Sequence, residues 1–208
     1  MLALALSALS VFSALAWVAS LAAVIRTVRA IPLLADDGSP PPARWPRVSL
    51  VVPARDEARD LDAAVRSRLA DDYLDLQVIV VDDRSTDATG AIADRLAASD
   101  PRVRAVHITE LPTGWLGKLH ALHCGTLEAD GAWLLYSDAD IVFAPGTLRR
   151  TVAYCEARSL DHLTVVPTFR NNGIAVDAAI HAFARALIVL GRLWAVSDPQ
   201  SRVAVGGG

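Results

Sequence analysis

Residues 78–89 read Val-Ile-Val-Val-Asp-Asp-Arg-Ser-Thr-Asp-Ala-Thr: an apolar run, two carboxylates, and then residues that start helices. The run predicts a buried β-strand over 78–81, because strands covered on both faces show no polar alternation. Residues 85–87 supply N-cap chemistry for a following helix, whose apolar face carries Ile92 and Leu96. This strand-to-helix unit, with acidic residues at the junction, decides the fold.

The stretches on either side repeat this alternation of apolar runs and helical patterns. An apolar run at 48–52 precedes Leu61, Val65 and Leu69, whose i, i+4 spacing predicts one face of a helix. The remaining predicted elements are strands at 103–107, 133–136 and 163–166, a helix over 118–127, and a helix that opens with Pro145 and runs through Cys155. The pattern predicts an α/β fold: a mainly parallel sheet with helices on both faces.

Acidic residues follow three of the predicted strands: Asp-Glu at 56–57, Asp-Asp at 82–83, and Asp138 with Asp140. The carboxyl ends of parallel strands meet at one edge of a sheet, where ligands bind. Asp138 and Asp140 are two residues apart, so both can face the same way and hold a divalent cation together with substrate phosphates. Each group alone also has a structural explanation, since acidic residues favour helix N-termini and turns.

The N-terminal segment 1–25 contains no charged residue and spans about 37 Å as a helix, enough to cross a bilayer. The alternative is a cleaved signal peptide, with alanine-rich processing positions at 19–23, but the length and the lack of a preceding basic residue favour a retained anchor. Basic residues follow the span and none precedes it, which places the rest of the chain in the cytoplasm. Segment 26–46, with Pro32 and the proline-rich stretch 36–42, predicts a linker.

Composition and short motifs exclude several function classes. The 208 residues carry 20 Lys and Arg against 23 Asp and Glu, a formal net charge of −3, so no basic excess for nucleic-acid binding exists. Cys124 and Cys155 lie in predicted helices without CxxC spacing, which is typical of reduced structural thiols. The chain has no GxGxxG motif, which disfavours a dinucleotide-dependent oxidoreductase.

Four motifs, in their order and spacing, resemble the inverting family 2 glycosyltransferases of the GT-A fold. They are Pro-Ala-x-Asp-Glu at 53–57, Val-Val-Asp-Asp-x-Ser-x-Asp-x-Thr at 80–89, Gly-Lys-x-x-Ala-Leu at 117–122 and Ser-Asp-Ala-Asp at 137–140. The resemblance covers about 48–167. Within it, the stretch 112–122 is similar to a subgroup associated with hopanoid biosynthesis, which also begins with a membrane helix.

The resemblance implies a nucleotide-sugar donor, with UDP as the expected nucleotide, and a lipid or other membrane-associated acceptor. By this likeness Pro53, Ala54 and Glu57 contact the nucleoside, Asp83 the base, and Asp138 and Asp140 the diphosphate with its Mn²⁺ or Mg²⁺, Asp140 being the direct metal ligand. The cation would assist departure of the diphosphate, and the sugar would be transferred with inversion.

Several residues keep two interpretations. Lys118 either faces solvent, as a lysine at a helix start commonly does, or lies near the donor phosphates, as the resemblance implies; the P-loop spacing is absent. Trp115 either lines the sugar site or closes its loop on the core. Asp161 and Asp177 are candidate general bases, which a hydroxyl acceptor needs and an ionised lipid phosphate does not.

Relatives of this type continue beyond this length, with an acidic motif that supplies the general base and with further membrane helices. We therefore expect a C-terminally truncated chain, whose principal general base would lie beyond Gly208. The nucleotide-sugar-binding GT-A half would occupy 47–170, and residues 171–208 would hold an amphipathic helix and the truncated start of the acceptor-side half. Charged residues interrupt 174–196, and Arg185 and Arg192 are seven apart, so this segment predicts an amphipathic helix rather than a second span.

Two other function classes compete with an active transferase. One is a nucleotide-sugar-binding module without catalysis, or one completed by a second polypeptide. The other is a nucleotidyltransferase, but such enzymes commonly carry a glycine-rich basic loop after the first strand, and residues 53–57 are not such a loop. A phosphatase of the Asp-x-Asp type is disfavoured because Ile141 and Val142 stand where such sites place a Gly-Thr pair.

Overall fold

The computed structural model describes residues 1–168, 173–196, 198 and 200–203. The chain forms two compact units: residues 37–163, and residues 1–36 with the described residues from 164 onwards. The expected boundary between 47–170 and 171–208 lies at residues outside the described part of the chain, and so does Gly208, at which the expected truncation falls.

Residues 37–163 are built on a parallel sheet of four strands, as the sequence predicts. The strands are β1 (Val48–Ala54), β2 (Leu76–Asp83), β3 (Val103–Ile108) and β4 (Trp133–Tyr136), in the order β3-β2-β1-β4. In the sheet, β2 and β3 therefore lie on one side of β1, and β4 lies on its other side. This reversal of strand order creates a crevice at the carboxyl ends of β1 and β4, the usual ligand-binding position in open α/β sheets.

Helices cover both faces of the sheet. They are α2 (Leu61–Leu69), α3 (Thr89–Ser99), α4 (Gly117–Leu127) and α5 (Thr147–Arg158). Leu50 and Val52 of β1 point to the face covered by α2, α3 and α5, whereas Val51 points to the face covered by α4. Gly125 lets α4 approach closely, because a β-carbon there would overlap the side chains of Val51 and Val81.

Two of the predicted element positions between 145 and 166 differ from the structure. Segment 163–166 is no strand, and the sheet of the described residues has only four. Its β-branched residues predict one, but strand propensity reflects burial on a pleated surface, and Val165 and Val166 are exposed. Pro145 lies before α5 rather than inside it, because Gly146, with a φ of 74°, forms the N-cap.

The second unit contains α1 (Leu2–Ala30), α6 (Ile174–Gly191) and short 3₁₀ turns at Leu34–Asp36 and Leu193–Ala195. The helix α1 runs five residues further than the predicted span 1–25 and ends before Pro32. The guanidinium of Arg185 on α6 lies 4.1 Å from the ring centre of Trp17 on α1.

By length and composition, both α1 and α6 could cross a membrane. The expectation that 174–196 is an amphipathic helix rather than a second span stays a prediction. The helix ends at Gly191, so Arg192 lies outside it and the spacing of Arg185 and Arg192 defines no polar helix face.

Candidate functional site

Three strand ends bring the predicted site residues to one edge of the sheet. Ala54 at the end of β1 is in register with Asp82, and Val51 is in register with Tyr136 at the end of β4. Asp138 and Asp140 are exposed while Ala139 between them is buried, so both carboxylates lie on the solvent side of this loop.

The loops after β1 and β2 hold each other through reciprocal hydrogen bonds. The backbone N–H of Thr86 donates to the carboxylate of Asp56 (2.7 Å), and the N–H of Asp56 donates to the hydroxyl of Ser85 (3.0 Å). The N–H of Glu57 donates to the hydroxyl of Thr89 (2.8 Å). Asp56 adopts a left-handed conformation, with a φ of 55°. These bonds fix the backbone of Glu57.

The N-cap of α3 is Ala88, which carries no side-chain cap, so residues 85–87 do not fill the N-cap role expected of them; of the three, Asp87 contacts the start of the helix. Its carboxylate accepts from the backbone N–H of Thr89 at the start of α3 (2.9 Å). Ser85 and Thr86 bond instead to the loop after β1. Part of the acidic and hydroxyl-rich motif therefore serves the helix, and part joins two loops of the site.

Negative charge is concentrated where these loops meet the Asp-x-Asp segment. Burial raises the pKa of the Glu57 carboxyl above its usual value, and the negative charges of Asp140, Asp60 and Asp138 raise it further. Asp138 forms an ion pair with Lys118 at the start of α4 (2.8 Å between Nζ and Oδ1). Asp140 forms no ion pair among the described residues. The structure thus brings Glu57, Lys118, Asp138 and Asp140 together.

Asp83, at the end of β2, adjoins the start of α4. Its buried carboxylate accepts two hydrogen bonds from Arg84, at 2.7 and 3.1 Å. The Arg84 guanidinium lowers the pKa of Asp83 below its usual value, against the opposing effect of burial. Gly117 adjoins this carboxylate, because a β-carbon there would lie 2.6 Å from its Oδ2 atom. Asp83 therefore lies next to the start of the helix that carries Lys118.

The first two predicted contacts of the nucleoside differ in exposure. Pro53 is half-buried, whereas Ala54 is 2% exposed and packs in the core. Ala54 could reach a ligand only through its backbone atoms.

Trp115 packs on the helix that carries Lys118. Its ring stacks on His123, with the ring centres 5.1 Å apart, and meets His120 edge-on at 5.3 Å. Trp115 remains 41% exposed, so this packing leaves part of the ring open to solvent.

The general base stays a prediction at each of its candidate positions. Asp161 follows α5, and Asp177 lies in the first turn of α6. The base expected beyond Gly208 falls outside the described residues, which end at Val203.

Arg68 is a site residue that sequence reasoning missed. It is fully buried on α2, and its Nη2 donates to the hydroxyl of Ser137 (3.0 Å) and the carbonyl oxygen of Asp138 (2.5 Å). Burial lowers the pKa of Arg68 to about 10, while the charges of Asp140 and Asp138 oppose this shift. Its position gives the missing signal: Arg68 follows Leu61 by seven residues, on the buried face of the helix.

The carboxylate oxygens of this site suit a hard divalent cation that is also coordinated by the phosphates of a bound ligand. Among the described residues no group of three His, Cys, Asp or Glu side chains could hold a metal. Mg²⁺ and Mn²⁺ commonly need fewer protein ligands, because one or two carboxylates act together with substrate phosphates. Asp138 and Asp140 offer that number.

Comparison with known proteins agrees with this geometry. The family model "Glycosyl transferase family 2" matches residues 49–194. The succinoglycan biosynthesis protein ExoO of Rhizobium meliloti is 35% identical over 132 residues, which are 61% of this chain and 36% of that protein. The beta-monoglucosyldiacylglycerol synthase of Synechocystis is 32% identical over 145 residues, 69% of this chain and 29% of that protein. The chain thus spans about a third of these relatives' length.

A solved structure has the same fold. It is the mannosyltransferase PcManGT from Pyrobaculum calidifontis, in complex with GDP-Man and Mn²⁺, with 31% identity and a TM-score of 0.52. The similarity covers 66% of this chain and 41% of that one. The parallel sheet, the position of the acidic loops and the extent of the family match lead to one conclusion: the chain belongs to glycosyl transferase family 2 and has a GT-A-like α/β fold.

Proposed function

We propose that the chain is the donor-binding part of a membrane-anchored, inverting glycosyltransferase that uses a UDP-sugar and a divalent cation. The observation that carries this proposal is the meeting of Glu57, Lys118, Asp138 and Asp140 in the crevice between β1 and β4. Three carboxylates and one exposed ammonium group suit a ligand that itself carries phosphates and a metal.

Each part of the donor has a matching group. The carboxylate of Asp83 can accept the imide N–H of uracil, and Glu57 can accept hydrogen bonds from ribose hydroxyls. Lys118 is 44% exposed, so its ammonium group can leave Asp138 for a phosphate oxygen. Asp138 and Asp140 would hold Mn²⁺ or Mg²⁺, which when bound supplies positive charge to the diphosphate as the sugar–phosphate bond breaks.

The acceptor is proposed to be a lipid or another membrane-associated molecule. The apolar helix α1 would hold the transferase at a membrane, with the remainder of the chain in the cytoplasm. The similarity to a beta-monoglucosyldiacylglycerol synthase supports a lipid acceptor. The narrower resemblance of 112–122 to hopanoid-associated enzymes would make a hopanoid one candidate.

Calorimetry of the full chain in detergent tests donor binding. Wild type should bind UDP at least about tenfold more tightly with Mn²⁺ than without it, and Asp140→Ala should lose this difference. Asp62→Ala is the matched control, because Asp62 lies on the exposed side of α2 and pairs only with Arg66 among the described residues.

The outcomes separate the competing functions. Equal binding by wild type and Asp140→Ala would show that the metal assignment is wrong. Stronger binding of GDP than UDP would overturn the base assignment. Metal-dependent binding without sugar transfer or donor hydrolysis would favour a nucleotide-sugar-binding module.

A further inference from the structure

The buried position of Arg68 is energetically unfavourable for the folded state. Its side chain is fully buried, and its Nε and Nη1 atoms have no hydrogen-bond partner. Burying a charge with unpaired donors is unfavourable, and replacing such a charge by an apolar side chain of similar volume is often neutral or stabilising. Core packing alone therefore gives no reason for an arginine at this position.

The side-chain hydrogen bonds and the ring contact of Arg68 involve the loop that follows β4. One of its nitrogens donates to both Ser137 and the carbonyl oxygen of Asp138, and its guanidinium lies 5.3 Å from the ring centre of Phe143. The neighbouring residue Ser67 accepts a hydrogen bond from the backbone N–H of Phe143 (3.0 Å). Two consecutive residues of α2 thus hold both ends of the segment 137–143.

This segment carries the two carboxylates of the proposed metal site. Like charges held close together repel each other, and a buried cation beneath them offsets that repulsion. We propose that Arg68 is a positioning residue: it fastens segment 137–143 to α2 and balances the charge of Asp138 and Asp140 before any donor arrives. This inference rests on the proposed function, since it assigns the segment to the cation and the diphosphate.

Hydrogen exchange of the full chain, without metal or nucleotide, tests the inference directly. In Arg68→Met, the backbone amides of 137–143 should exchange at least about tenfold faster than in wild type, because bonds to a charged donor are lost. Exchange in β1 and β2 should not change, and overall stability should stay equal or rise. Arg66→Met is the matched control, since Arg66 lies on the exposed side of the same helix.

Adding Mn²⁺ and UDP at saturating concentration tests the charge-balance role. An external cation should then restore the protection of segment 137–143 in Arg68→Met. Ser137→Ala removes one acceptor and keeps the guanidinium, so it should produce a smaller increase in exchange over the same segment. This second variant tests the inference even if Arg68→Met does not fold.

Two results would overturn the inference. Unchanged exchange of 137–143 in Arg68→Met and Ser137→Ala would show that Arg68 does not fasten the segment, and faster exchange throughout the sheet would show a general structural role. Persistent loss of protection with Mn²⁺ and UDP would remove the charge-balance role. Because the first measurement contains neither metal nor nucleotide, its failure counts against Arg68 alone, whereas failure of the Asp140→Ala calorimetry counts against the proposed function.

Discussion

At the scale of residues, the site is a set of carboxylates with different electrostatic partners. Asp83 is paired with Arg84 and Asp138 with Lys118, whereas Asp140 has no ion pair among the described residues. Exposed ion pairs contribute only about 0–1 kcal/mol, so the bond from Lys118 can be exchanged for one to a phosphate at little cost. Asp140 is therefore the carboxylate most available to a cation.

Gly117 offers a test of the role proposed for Asp83. In Gly117→Ala the new methyl group would lie 2.6 Å from the Asp83 carboxylate and 3.0 Å from Arg84. Asp83 is buried at the end of β2 and has little room to move, so the proposed base-binding group should be displaced. Overpacking of this kind costs about 1–3 kcal/mol, and we expect UDP affinity to fall about tenfold or more in calorimetry.

Gly38→Ala is the control for this substitution, because no atom lies within 4 Å of its new methyl group. Circular dichroism should show that both variants keep the fold, because alanine favours the helix that begins at Gly117 and Gly38 lies outside the helices with open space around it. Unchanged UDP affinity in Gly117→Ala would mean that Asp83 does not contact the nucleotide.

At the scale of elements, His107 connects two strands and a helix through its side-chain bonds. His107 on β3 bonds to Asp82 on β2 (3.2 Å) and to Asp94 on α3 (2.9 Å). The hydrogen bond to Asp94, and then that to Asp82, raises the pKa of His107 above its usual value. A raised folded-state pKa means that the stabilisation is fully present below the unfolded-state pKa, about 6.5, and is lost as pH rises through the folded-state value.

We therefore expect the difference in unfolding free energy between wild type and His107→Asn to be larger near pH 5.5 than near pH 9. It should stay below about 1 kcal/mol, because His107 is 40% exposed and solvent screens its ion pairs. Chemical denaturation at both pH values measures it. His123→Asn is the control, since that ring stacks on Trp115. A difference independent of pH would contradict an ionised His107.

The observed strands also show which sequence patterns predict a strand correctly. The apolar runs at 48–52 and 78–81 predicted strands correctly, because burial on both sheet faces leaves a continuous pattern. The strand predicted at 103–107 also forms, at the edge of the sheet, where Arg104 and His107 are exposed. The run at 163–166 looks the same locally but forms no strand. A strand needs a neighbour as well as a composition, and single-sequence patterns do not specify neighbours.

The positions of the candidate site residues could be predicted from the sequence where they depend on the predicted strands, and not where they depend on how separate loops meet. Asp83, Asp138 and Asp140 follow strands, so the rule for parallel sheets places them at one edge. The bond between Thr86 and Asp56 joins residues 30 apart and depends on how two loops meet, which no local pattern contains. Arg68 carries no motif that marks it as a site residue, although its helical position indicates the buried face of α2.

At the scale of the whole molecule, α1 is the proposed membrane anchor. It is about 43 Å long as a helix of 29 residues, and most of its described apolar side chains are exposed. The helix α6 is shorter and contains, besides Asp177 in its first turn, Arg185 near its middle, where a charge costs about 2.5–3.5 kcal/mol in a bilayer. Insertion should therefore depend mainly on α1.

Paired arginine substitutions at two depths of α1 test this dependence. Leu15→Arg with Val18→Arg places two charges in the middle of the helix, and each should cost about 2.5–3.5 kcal/mol of insertion free energy. Val28→Arg with Ile31→Arg is the matched control, because these exposed positions lie beside Arg26 and Arg29 at the end of the helix. After alkaline carbonate extraction of membranes, wild type and the control should remain in the pellet, while the central variant should move to the supernatant. Retention of all three chains would show that α6 or another contact holds the protein at the membrane, and that α1 does not act as the anchor.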